Sequence, residues 1–188
     1  MNREAELLPN YEKQLRYARA HEHLKRAMDG GFHIEAAMIC ESIITDRLHS
    51  HLHWRVEVAK LCTMEDVVAR LSEKKMFRPP KKPPEISLEK ASLFILILAV
   101  GLDFKDHGFE HYQSLPIRLD KWRECRNEIA HNMTYTRPTS KTYDVAFDEF
   151  MAHARECATE GKALTAHLTN WDRLVRDRYK RTLKGAGG

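Results

Sequence analysis

The sequence predicts an all-α fold: a bundle of about five to six helices that ends in a long C-terminal one. Two observations carry this. Of the 8 glycines, three fall in the last four residues, and the remainder are too few for the many tight turns of a β-sandwich. Apolar residues also recur at spacings of three and four along most of the chain. With 188 residues and 21.9 kDa the chain suits one domain, or one domain with an appendage. Its 43% hydrophobic and 31% charged residues exclude wholesale disorder.

The first helix is expected from Asn10, an N-cap after Pro9, to Met28, where Gly30-Gly31 stops it. Leu15, Ala18, Glu22 and Leu24 give it a weak stripe. Ala36, Cys40, Ile43, Ile44 and Leu48 mark a firmer buried face on the second. Thr63 opens a third, with Asp66 at the capping-box position usually taken by Glu. Four prolines within 79–84 make the next stretch an extended, exposed connector, and Ser87 restarts order as an N-cap.

Leu88 to Leu102 also fits a buried strand. Its length, the Ser87 cap and the absence of a partner strand favour a buried helix. Asp103 to Ser114 is looser. Leu115-Pro116 begins a helix that runs to about Asn132, since proline sits well at a helix start. Thr134 to Thr139, with Pro138, is a loop. From Ser140 one apolar face continues almost to the end, through Phe147, Phe150, Met151, Ala154, Cys157, Ala158, Leu164, Leu168, Trp171, Leu174, Val175 and Tyr179. Gly161 lands on that face, so either it breaks the helix or marks a close crossing, or the far half projects towards a partner.

The formal charge of +4 is unevenly spread. Arg173, Arg176, Arg178, Lys180, Arg181 and Lys184 face only Asp172 and Asp177 in 171–188, and the rest of the chain is balanced. Cys40, Cys62, Cys125 and Cys157 lie far apart without a CxxC pair, which reads as reduced core thiols. The N-terminus lacks the apolar region of a signal peptide, and the longest apolar stretch is about half the roughly 20 residues of a membrane span. A cytoplasmic protein without membrane contact is expected.

The informative segment is Leu115 to His131. On a helical wheel Leu115, Leu119, Trp122, Cys125, Ile129 and Met133 share one sector, and Arg126 falls inside it. A permanently charged guanidinium on a core face needs a partner or a wet cleft. Asn127 stands one turn below His131 on the same side. Arg126 and His131 are about 140° apart on an ideal helix. They meet on one ligand only if the helix loosens near His131, or if two copies face each other.

Arg126-Asn127-Glu128-Ile129-Ala130-His131 resembles the R-x(4–6)-H motif of HEPN domains. The order of helices around it is similar too: an Ala-rich helix with Glu41, an apolar helix, the motif helix and a capping helix. The resemblance covers roughly Tyr11 to Ala158, and divides the chain into a HEPN-like domain over 10–160 and a basic helical extension over 161–188. It implies a homodimer whose paired motifs line a composite cleft and cleave RNA without a metal or other cofactor. Catalytic roles fall on Arg126, which would hold the phosphate, on His131 as acid or base, and on Asn127, which would orient His131 or the ribose. It further implies a toxin or phage-defence effector with RNA as substrate, and a possible antitoxin such as a minimal nucleotidyltransferase. Some such antitoxins modify a tyrosine two residues after the histidine. That position is Met133 here, and the nearest downstream tyrosine is Tyr135. The competing reading is a non-catalytic helical module in which Arg126 makes a buried ion pair with a residue such as Glu41.

His49-Ser-His51-Leu-His53 invites a metal reading, because His49 and His53 share a helical face. Without an HExxH pattern or a third spaced acid, a solvated polar face is expected. Neither a G-x-x-x-x-G-K nor a G-x-G-x-x-G run occurs, so phosphate contacts must come from side chains such as Arg126, with Arg123 and Lys121 as weaker candidates.

Overall fold

A computed structural model describes residues 3–73, 91–106, 109–132 and 143–185. Six α-helices account for nearly all of them: α1 (Arg3–Asp29), α2 (His33–His53), α3 (Met64–Glu73), α4 (Leu93–Asp106), α5 (Leu115–Asn132) and α6 (Tyr143–Gly185). A π-helical turn, Trp54–Val58, follows α2 directly, and a 3₁₀ turn, Glu110–Tyr112, precedes α5. Among the described residues there is no strand, and no helix is long and apolar enough to cross a membrane. The proline connector, the Ser87 cap and the 134–139 loop lie outside the described residues.

The local signals account for most boundaries. α1 ends in a Schellman motif: Phe32 N–H donates to the Ala27 carbonyl at 2.8 Å and Gly31 N–H to that of Met28 at 3.3 Å. Gly31 supplies the positive φ of 76° that this closure requires. α1 begins before Asn10, however, with Pro9 inside it. The Glu- and Ala-rich turn ahead of Pro9 favours helix strongly enough to absorb one missing backbone donor. Thr63 and Asp66 form a reciprocal capping box, with Thr63 N–H donating to Asp66 Oδ2 at 2.8 Å and Asp66 N–H to Thr63 Oγ1 at 3.2 Å.

The ambiguous apolar segment is helical, and its cap is Ser92, whose carbonyl accepts Leu96 N–H at 3.0 Å. Leu93, Leu96, Ile97, Ala99, Val100 and Phe104 are buried on it, a helical rather than an alternating spacing. α5 starts as expected, with Ser114 accepting Arg118 N–H at 3.0 Å and Pro116 in the first turn. α6 runs for 43 residues without a break at Gly161, which is buried within it. Near its start Val145 and Phe147 are about half exposed, whereas Ala154, Cys157, Ala158, Leu164, Leu168, Trp171 and Val175 of the stripe are buried and Leu174 and Tyr179 half-buried.

The chain divides into two compact units. The first comprises Met1–Ile43 and Glu124–Ala163, the second Ile44–Arg123 and Leu164–Gly188. The first unit buries mainly small side chains, among them Ala36, Ala37, Cys40, Ala154, Cys157 and Ala158, together with Leu24, Ile43 and Ile129. The second buries larger ones: Ile44, Leu48, Leu52, Leu96, Leu119, Trp122, Leu168 and Trp171. Residues of 161–188, expected as an extension, supply Leu164, Leu168, Trp171 and Val175 to that buried set. Trp171 stacks on Phe104 with ring centroids 3.8 Å apart, a contact that aligns α6 with α4 inside this unit.

Candidate functional site

The motif residues all belong to the first unit. Arg126 sits mid-helix on α5 with its side chain 15% exposed, and its guanidinium Nη2 pairs with Glu41 Oε1 of α2, which is 27% exposed. A charge on the apolar sector thus finds a carboxylate beside it, as the cost of burying it alone demands. Arg126 Nε is buried and has no hydrogen-bond partner among the described residues. Burial pulls the Arg126 pKa below its ordinary value, with the nearby Cys157 acting the other way. Arginine titrates so high that the group stays charged regardless.

Asn127 is half-buried and His131 is exposed in the last turn of α5. α5 remains α-helical through Asn132, so the helix does not loosen at His131. Asn127 and His131 therefore share a face, whereas Arg126 points about 140° away from His131. One chain brings Arg126 to Glu41; it does not bring Arg126 and His131 together.

Cys157 lies near Arg126, and Cys125 and Cys40 lie near Cys157, three thiols expected only as core. Cys125 and Cys157 hydrogen-bond each other, and Cys125 Sγ lies 3.4 Å from His153 Nε2. His153 in turn stands 3.6 Å from Glu128 Oε2. Burial pushes the Cys40 thiol up to about 12 and raises those of Cys125 and Cys157 as well. All three stay protonated at neutral pH, so thiolate nucleophilic chemistry has no support here.

The second unit holds a buried polar cluster that contradicts the solvated reading of the His-x-His-x-His run. His51 is fully buried, and its Nδ1–H donates to Asp172 Oδ1 at 2.7 Å. Arg176 Nε donates to the same oxygen at 2.9 Å, and its Nη2 to the Ser50 carbonyl at 3.2 Å. The Arg176 guanidinium also lies 5.0 Å over the Trp54 ring. Burial raises the Asp172 pKa, but hydrogen bonds from His51 and Arg176 outweigh it and hold the group below its ordinary value. The signal was available: His51 continues the Ile44–Leu48 stripe, and Asp172 stands one turn beyond Leu168 on the buried stripe of α6. His53 is exposed, as expected, while His49 is half-buried and pulled down by that burial, against the pull of Asp46. Among the described residues no group of three or more His, Cys, Asp or Glu could hold a metal ion. Arg123 is engaged with Asp120 at 2.8 Å and lies 5.0 Å over the Phe94 ring. Lys121 is exposed.

No family model matches the chain, and comparisons with curated proteins and with solved structures gave no match.

Proposed function

We propose that this chain is a metal-independent endoribonuclease of the HEPN type, acting as a homodimer in toxin–antitoxin or phage-defence biology. The observation that carries the reading is the Arg126-Asn127-x-x-x-His131 run on one uninterrupted helix, with the arginine anchored by Glu41 and the histidine exposed. RNA carries its own nucleophile, the 2′-OH beside the scissile phosphate. His131 takes the 2′-OH proton, the 2′-oxygen bonds to phosphorus, and the bond to the 5′-oxygen breaks. The 5′-oxygen takes a proton from the second copy's imidazole, leaving a 2′,3′-cyclic phosphate and a free 5′-hydroxyl. Arg126 stabilises the charge that develops on the phosphoryl oxygens. Because Arg126 and His131 diverge by about 140° on α5, the reading requires two copies to assemble one site. A partner antitoxin such as a minimal nucleotidyltransferase would silence it.

RNA cleavage in EDTA tests this, with wild type beside Arg126→Ala and His131→Ala. Loss of cyclic-phosphate product in both variants is expected, and cleavage by both at the wild-type rate ends the proposal. The Glu41–Arg126 pair favours a second reading, a binding or regulatory module in which the motif is structural. In that case Arg126→Ala lowers the melting temperature and wild type cuts nothing.

A further inference from the structure

Five basic residues of 171–181 divide between two roles. Arg176 is committed inward, to Asp172, the Ser50 carbonyl and the Trp54 ring. Arg178 is exposed but held over the Phe109 ring at 4.2 Å. Arg173, Lys180 and Arg181 are exposed. Among the described residues Arg173 and Lys180 have no ion-pair or hydrogen-bond partner, and Arg181 gives only its Nε to the Asp177 carbonyl at 3.3 Å. At 3.6 residues per turn these three side chains fall in a sector of about 100°, opposite buried Trp171 and Val175. From Arg173 to Arg181 the helix rises about 12 Å, enough to meet several successive phosphates of one strand. Exposed Asp177 is the one anion in the sector.

We infer that this stripe of α6 is a second, non-catalytic binding surface that tracks the phosphate backbone of single-stranded RNA. The choice of RNA as the ligand rests on the ribonuclease reading above. The stripe gives charge without bases to read, so it retains substrate and leaves sequence choice elsewhere. A lipid surface fits worse, because an interfacial helix must offer an apolar face and here that face is buried. Phosphate contacts on a single strand each contribute about 0.7 to the slope of log affinity against log salt. Three contacts make about 2, or roughly 18-fold in Kd between 50 and 200 mM salt.

The test is fluorescence anisotropy of the full chain with a labelled 2′-O-methyl RNA oligonucleotide, which lacks the nucleophile and cannot be cut. Arg173→Gln, Lys180→Gln and Arg181→Gln combined should weaken binding at least tenfold at 50 mM salt and reduce the slope by about 2. Asp177→Asn should tighten it. An unchanged Kd and slope in the triple variant, absence of RNA binding by wild type, or binding to phosphatidylserine vesicles in place of RNA each overturns the inference. Unmodified RNA separates the two proposals. RNA that is bound through the stripe but never cut removes the ribonuclease reading alone, and RNA that is cut while the triple variant binds normally removes the stripe alone.

Discussion

Replacing both members of the Glu41–Arg126 pair with methionine asks whether that pair serves the fold, the chemistry, or both. Met fills the space of either stem without charge. Removing one partner of a buried pair typically costs 3–5 kcal/mol, because the other charge is left unpaired. Here Glu41 keeps 27% exposure and Arg126 15%, so water recovers part of that penalty. Each single variant should therefore lose about 2 kcal/mol, or roughly 4–8 °C in melting temperature for a chain of this size. Glu41→Met should be the more damaging, since the stranded guanidinium is deeper and its Nε is already without a hydrogen bond. The double variant removes both charges and should return to within about 1 kcal/mol of wild type, a coupling of about 3 kcal/mol. Urea denaturation followed by circular dichroism, on all four proteins, measures the cycle. Additive losses, or single losses under about 0.5 kcal/mol, would refute the claim that this pair holds α2 to α5. The double variant also serves as a control for cleavage: a folded protein with wild-type stability and no ribonuclease activity assigns Arg126 a chemical role beyond its structural one.

Asp172→Asn should lower stability by about 2 kcal/mol at pH 7, because His51 and Arg176 lose the carboxylate they share. The folded-state pKa of Asp172 lies below its ordinary value of 3.8, so its contribution is complete above that value and is lost as pH falls through the folded one. Wild type should accordingly lose more stability than Asp172→Asn between about pH 5 and 2, and parallel pH curves would contradict the assignment. Gly31→Ala should cost about 1 kcal/mol through its positive φ alone, since no atom lies within 4 Å of the added Cβ. Gly101→Ala, whose Cβ would meet Pro116 at an ordinary 3.5 Å, should be neutral or stabilising in the same thermal melt. With Cys40 at about 12 and Cys125 and Cys157 also raised, only Cys62 should react promptly with a thiol reagent at pH 8. Cys62→Ser should abolish that fast phase, and prompt labelling of Cys40 in the native protein would argue against its burial.

Much of the fold is legible because its signals are local. The Gly30-Gly31 stop, the Thr63–Asp66 box and the three- and four-residue spacing in α4 each depend on neighbours within one or two turns. The misreadings occur where tertiary packing decides. Gly161 carries a helix penalty of only about 1 kcal/mol, which burial of Ala158 and Leu164 on either side outweighs. The π turn at Trp54–Val58 closes with Ala59 N–H donating to the Trp54 carbonyl at 2.7 Å, a five-residue closure with no residue signature of its own. Tyr179 Oη also donates to the Ala59 carbonyl at 3.0 Å from 120 residues away, which no local pattern announces.

The candidate site shows the same division more sharply. Arg126, His51 and Asp172 are all ionisable residues at apolar-stripe positions, and each meets a partner on another element: Glu41, Asp172 and His51 respectively. A charge on a core stripe thus announces that a partner exists, and the physics of desolvation guarantees it. It does not announce what the pairing is for. His51 and Asp172 lie in the second unit, apart from the motif, and their geometry needs no ligand to be complete. Arg126 differs in one respect: its Nε remains buried and unpaired after Glu41 is counted. Leaving a donor buried without an acceptor costs about 1–3 kcal/mol, and a purely structural arginine gains nothing from that cost. An anionic oxygen arriving at Arg126 would satisfy the group, and one chain alone cannot bring His131 to the same phosphate. His33 Nδ1 and Trp171 Nε1 are buried without a hydrogen-bond partner among the described residues as well, so an unmet polar atom does not by itself mark a site. Under the proposed ribonuclease reading a phosphate oxygen would meet the Arg126 Nε and a second copy would supply His131. The cleavage assay on Arg126→Ala and His131→Ala separates that from a structural pair.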